Sequence, residues 1–233
     1  MDRWIRRVGA AAATAAGPVW MLAEWRWYRA VGHPGARQGF AEFLHQFGHE
    51  SVHGLLHGSF HGGAELPFGV GLALMAVAVT ALAVIARPGG LVTAVAILGA
   101  GGGLLGAFGN VAMSCAPFLR EPLARLALDC GPHGAAVAAA GRVVFDGGLL
   151  VLAVALTRRR FLGTAGMLLA LVVGTSIVTP LVGVAASRLG GSASVRAAEL
   201  GMGVAHGVAW MGLGCLMVLR PTGGSEVERG RWR

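Results

Sequence analysis

Long uninterrupted apolar stretches decide what this chain can fold into. They run over residues 66–86, 89–113, 134–156, 161–186 and 199–219. A helix rises 1.5 Å per residue, so roughly 20 apolar residues cross the hydrocarbon core of a bilayer. Of the 233 residues 55% are hydrophobic and 13% charged, where a soluble domain carries about 25% charged residues. The 39 glycines fall inside the apolar runs rather than in polar linkers, which excludes a disordered low-complexity chain. Glycine inside an apolar helix lets backbones approach closely.

Two further segments set the helix number. The run 8–23 is shorter and Ala-rich, and follows the basic stretch Arg3 to Arg7. Glu24-Trp25-Arg26-Trp27 after it is a poor signal-peptidase context and a good interfacial anchor, so a retained helix is expected. The segment 40–64 has spanning length but holds five histidines. It is either an amphipathic helix on the aqueous side or a polar spanning helix among the others. The expected fold is therefore all-α: one polytopic transmembrane domain over 1–233, a bundle of six or seven helices.

The net charge of +8 comes from arginine alone. Arg87, the Arg158-Arg159-Arg160 cluster, and Arg220 with the C-terminal tail follow alternate runs, as expected of cytoplasmic loops. This predicts an integral membrane protein, in a bacterial plasma membrane, with its C-terminus in the cytoplasm. No compact basic patch with interleaved aromatics is present, and nucleic acid is not expected as a partner. The expected partners are the lipid bilayer and a membrane-protein substrate. Cys115 and Cys130 flank a loop read as a solvated amphipathic turn, where a disulfide is possible in an oxidising compartment. Gly54, Gly58 and Gly62, and again Gly102 and Gly106, recur every four residues, as in close helix contacts. Gly101 to Gly106 formally matches GxGxxG but lacks the strand a dinucleotide site requires. Thr179-Pro180 predicts a kink in the run 161–186.

His45, His49, His53, His57 and His61 stand four apart, and Glu65 continues the series. On a helix each lies one turn above the last, drifting by about 40° per step. Adjacent pairs can share a ligand, while the ends of the row face different ways. Inside the row, His49-Glu50-Ser51-Val52-His53 is HExxH: two imidazoles that can bind one zinc, with a glutamate beside the metal-bound water. A catalytic zinc needs a third protein ligand and an open position. The run 134–156 offers Asp146, in Phe145-Asp146-Gly147-Gly148. An ionised aspartate at membrane depth needs a metal or a cation. Arg142, one turn earlier, is an alternative partner in an ordinary helix ion pair.

HExxH followed by Asp-Gly-Gly on a later helix resembles the intramembrane zinc metalloproteases of the site-two protease type. The resemblance covers roughly Leu44–Leu150. It implies Zn2+ held by His49, His53 and Asp146, with Glu50 activating water for peptide hydrolysis. Two departures stand out. The Asn-Pro-type element that the family carries before the aspartate is here Val137-Ala138-Ala139-Ala140-Gly141-Arg142. A second frame, His45-Gln46-Phe47-Gly48-His49, looks like the family's HExGH form with the base replaced by glutamine, which cannot take a proton from water. A different class of function uses the whole row, His45, His57 and His61 included, to bind or transport zinc, copper or nickel; imidazole suits all three. A structural membrane protein without metal is the third reading.

Overall fold

The computed structural model describes residues 2–31, 65–115, 123–159, 162–188 and 193–219. These form six helices and no strand: α1 (Asp2–Val31), α2 (Glu65–Ala86), α3 (Gly90–Cys115), α4 (Leu123–Thr157), α5 (Gly163–Arg188) and α6 (Ala193–Leu219). Four are long and apolar enough to cross a membrane: α2, and the stretches Gly90–Ala112, Ala136–Thr157 and Leu200–Leu219 of α3, α4 and α6. In α5 the apolar part is shorter, Gly163–Val178.

These helices are apolar on both faces. Met75, Val79, Phe145, Leu149, Leu152, Leu156, Leu169, Trp210 and Leu213 are buried in one core. On the outside, Leu91, Val143, Phe108 and Leu98 are 80%, 73%, 69% and 69% exposed. An outer surface of this kind is untenable in water and natural in lipid. The protein is an integral membrane helix bundle.

Each helix packs against its neighbours in the chain, and α6 closes on α1, giving a ring of six. Small residues set the spacing. A methyl group on Gly148 would fall 2.6 Å from the Gly99 Cα, and one on Gly102 would fall 2.7 Å from the Val144 side chain. Gly106 meets Ala138 and Arg142 of α4 in the same way, and Gly109 meets Gly134 and Ala138. The expected close contact through Gly102 and Gly106 is therefore made, and its partner is α4. The formal GxGxxG lies inside this packed helix. Helix α1 lacks a long apolar run but buries Ala12, Ala13, Ala16, Trp20 and Ala23. Its Gly17 sits against Gly207 of α6, and Gly71 of α2 sits against its Trp20.

Several boundaries differ from the apolar runs. Helix α4 starts at Leu123 rather than 134 and spans 35 residues, about 52 Å. Residues 123–130, part of the segment expected as a solvated turn between Cys115 and Cys130, are thus helical, and Cys130 lies within α4. Hydropathy marks where a helix meets lipid, whereas hydrogen bonding continues it beyond the hydrocarbon slab. The side chains of Cys115 and Cys130 lie outside the described residues, and so does their expected pairing. Helix α5 is assigned without interruption through Thr179 and Pro180.

The packing also orients the ends. Gly9 sits against Ala81 and Met217, and Gly203 against Glu24, so α1 runs antiparallel to α2 and α6. The start of α1, the α2–α3 and α4–α5 turns and the end of α6 share one end of the bundle. That end holds Arg3, Arg6, Arg7, Arg87, Arg158 and Arg159, and is called here the arginine end. The chain leaves α1 at Val31 and re-enters at Glu65, both at the opposite end. The interval 32–64, on which the choice between six and seven helices turns, lies outside the described residues.

Candidate functional site

Of the candidate catalytic and metal-ligating residues, Asp146 is described by the structure, as are its alternative partner Arg142 and the buried Glu65 that continues the histidine series. His45, His49, Glu50, His53, His57 and His61 lie outside the described residues. Asp146 projects from the membrane part of α4, where its position is set by the glycine contact between α3 and α4. Arg142, one turn earlier, donates from Nε to Asp146 Oδ2 at 3.0 Å. Their side chains are 22% and 17% exposed for Arg142 and Asp146 respectively. The helix ion pair between Arg142 and Asp146 is thus made. Asp146 Oδ1 is buried and has no hydrogen-bond partner among the described residues.

The arginine is held from three sides. Besides Asp146, its Nη2 donates to Ser176 Oγ of α5. Its guanidinium also lies 4.7 Å from the ring centroid of Trp20 on α1, a cation–π geometry. Arginine near the centre of a membrane helix costs about 2.5–3.5 kcal/mol on insertion scales. The carboxylate, the hydroxyl and the ring face offset that cost.

Trp20 connects this pair to a second polar group. Its ring stacks on His206 of α6 at 4.8 Å and meets Phe68 of α2 edge-on at 4.8 Å. His206 is 3% exposed. Trp210 Nε1 donates to His206 Nε2 at 3.2 Å, and His206 Nδ1 lies 3.2 Å from Thr175 Oγ1. An indole N–H can only donate, so Nε2 is the acceptor and the ring proton sits on Nδ1, directed at Thr175. The Thr175 hydroxyl lies 3.0 Å from Leu171 O and 2.9 Å from Val172 O, and passes its own proton to that turn of α5. Both ring nitrogens of His206 are therefore satisfied.

The cluster draws on α1, α2, α4, α5 and α6. Sequence reasoning reached Asp146 and Arg142 and missed Trp20, Thr175, Ser176, His206 and Trp210. A signal existed for His206: it is a solitary histidine in an apolar run, spaced one turn from Trp210. The histidine row drew the attention instead. No such local signal marks Ser176 or Trp20, whose roles depend on a helix far away in sequence.

Among the described residues no three His, Cys, Asp or Glu side chains converge as metal ligands. Zinc at Asp146 would sit beside the Arg142 guanidinium. At an effective dielectric of 20 and a separation of roughly 5 Å, that repulsion is about 7 kcal/mol. The unpartnered Oδ1 is the atom left to accept a cation, so Asp146 fits a ligand role only with Arg142 displaced or screened. No known protein family, curated protein or solved structure matches this chain.

Proposed function

We propose that this chain is a histidine-rich integral membrane protein that binds, and passes on, divalent metal ions such as zinc, copper or nickel. The row His45, His49, His53, His57 and His61 supplies the ligands, adjacent pairs sharing a metal. One observation carries the preference: Asp146 Oδ2 is engaged by Arg142 at 3.0 Å. A metal-handling row needs nothing from Asp146, whereas a protease site needs it free. In this reading Arg142 and Asp146 tie α4 to α1 and α5, and Glu50 is incidental.

The geometry of the ends bears on the direction of handling. With the arginine end in the cytoplasm of a bacterium, as the positive-inside rule expects, the C-terminus is cytoplasmic. The interval that bears the row is then tethered at the outer end, through Val31 and Glu65. The metal would be met outside the plasma membrane.

A second reading has its own observation. Asp146 Oδ1 is buried without a partner, and such atoms call for an explanation. A zinc ion shared with His49 and His53 would supply one, with Glu50 activating water for hydrolysis of membrane-associated peptide substrates, as in the site-two protease type.

Metal content of the detergent-purified protein separates the two. The metal-handling reading expects more than one metal per chain, reduced stepwise by His45→Ala, His57→Ala and His61→Ala and indifferent to Asp146→Asn and Glu50→Gln. A single zinc, lost with His49→Ala or Asp146→Asn and unmoved by His61→Ala, refutes it in favour of the protease. Metal-free protein after zinc, copper and nickel loading refutes both.

A further inference from the structure

We propose that the arginine end carries a binding site for the phosphate of an anionic lipid headgroup, built by Arg87, Arg158 and Arg159. Two turns far apart in sequence meet here. Arg159 Nη1 donates to Ala86 O at 3.2 Å, across 73 residues. That carbonyl belongs to the last turn of α2, where unpaired carbonyls and the negative end of the helix dipole favour a cation. The contact holds the α4–α5 turn against the α2–α3 turn.

Arg87 is the next residue. Its backbone closes α2 through a bond from its N–H to Ala83 O at 3.2 Å, with φ at 44°. Glycine is the usual occupant of this left-handed position after a helix, and asparagine the usual substitute. An arginine there keeps its side chain against a backbone preference. Arg87, Arg158 and Arg159 are all exposed, and the sequence of the two turns, 87–89 and 158–162, contains no aspartate or glutamate. The three arginines thus stand on two adjoining turns whose own sequence supplies no counter-charge. A planar guanidinium matches the oxygens of a phosphate in a two-pronged bond.

The surroundings favour a lipid as the source of that phosphate. Leu91, in the first turn of α3 and four residues from Arg87, is 80% exposed. Val154, one turn before Arg158, is 45% exposed. Apolar side chains lie directly below the arginines on α3 and α4, so a phosphate on the arginines would bring its acyl chains onto these helices.

The test is native mass spectrometry of the full chain, titrated separately with phosphatidylglycerol, phosphatidylcholine and inorganic phosphate. Arg87→Gly, Arg158→Gln and their combination are compared with Arg29→Gln, an exposed arginine at the opposite end. Arg87→Gly relieves the backbone at that position, so lost binding cannot be put down to lost folding. Phosphatidylglycerol affinity is expected to fall roughly fivefold for each single variant and roughly 25-fold for the pair. Arg29→Gln and the phosphatidylcholine titration should show no change. A double variant within about twofold of the wild type overturns the site. Inorganic phosphate that binds as tightly as phosphatidylglycerol, and is lost in the same variants, overturns the lipid and leaves a free anion in its place.

Discussion

Replacing Asp146 with alanine strands Arg142 in the bundle. Its guanidinium loses the carboxylate 3.0 Å away and keeps Ser176 and the face of Trp20. Breaking a buried ion pair by removing one partner costs 3–5 kcal/mol in general, because the survivor is left uncompensated. Here both side chains retain some exposure, 22% and 17%, and two other contacts remain, which places the loss near the lower end, about 3 kcal/mol. For a chain of this size that corresponds to a fall in Tm of roughly 6–12 °C. Removing both charges together, Arg142→Met with Asp146→Leu, should restore most of the loss, since an apolar pair of similar size needs no compensation. Reversible unfolding in mixed micelles, arranged as a double-mutant cycle, measures the coupling, expected at about 2–3 kcal/mol. Single losses that simply add in the double variant, within about 0.5 kcal/mol, would refute the ion pair as the reason these two residues stand where they do.

Three other expectations follow from the packing and the cluster. Gly147 and Gly148 are neighbours with opposite surroundings: nothing lies within 4 Å of a methyl group on Gly147, whereas one on Gly148 meets the Gly99 Cα at 2.6 Å. Gly147→Ala should leave thermal stability unchanged or raise it by up to about 1 kcal/mol, while Gly148→Val should lower it by about 3 kcal/mol, within the range for overpacking; equal effects would contradict the α3–α4 contact. His206→Phe keeps the stack on Trp20 but strands the Trp210 indole N–H, and should cost about 1–3 kcal/mol in the same unfolding assay. Arg87→Gly should leave the bundle at least as stable as the wild type, because only the non-glycine residue strains the left-handed position, and a clear fall in Tm would count against that backbone geometry.

Much of the bundle was legible in the sequence, for a specific reason. Lipid is a slab of fixed thickness, so the length of an apolar run translates directly into a crossing helix. That relation found α2 through α6 and failed where lipid is not the judge. The first eleven residues of α4, 123–133, continue as helix beyond the apolar run. Helix α1 holds its place through alanines and glycines packed against α2 and α6 rather than through hydropathy. Asp146 and Arg142 were visible as a pair because they sit one turn apart on one helix. His206 was passed over because one histidine in an apolar run carries little signal beside five in register.

The sequence by itself determined that this is a polytopic helical membrane protein. It also determined that Asp146 has a cation within one turn and that arginine supplies all of the positive charge. Only the tertiary structure decided which arginines share an end, that Val31 and Glu65 lie together at the opposite end, and that Trp20, Ser176 and His206 gather around Arg142. Spacing along one helix sets the contacts within a turn, so they can be read locally. Contacts between helices depend on which faces meet, and here backbone glycines on α1, α3, α4 and α6 set those faces by how closely each pair can approach.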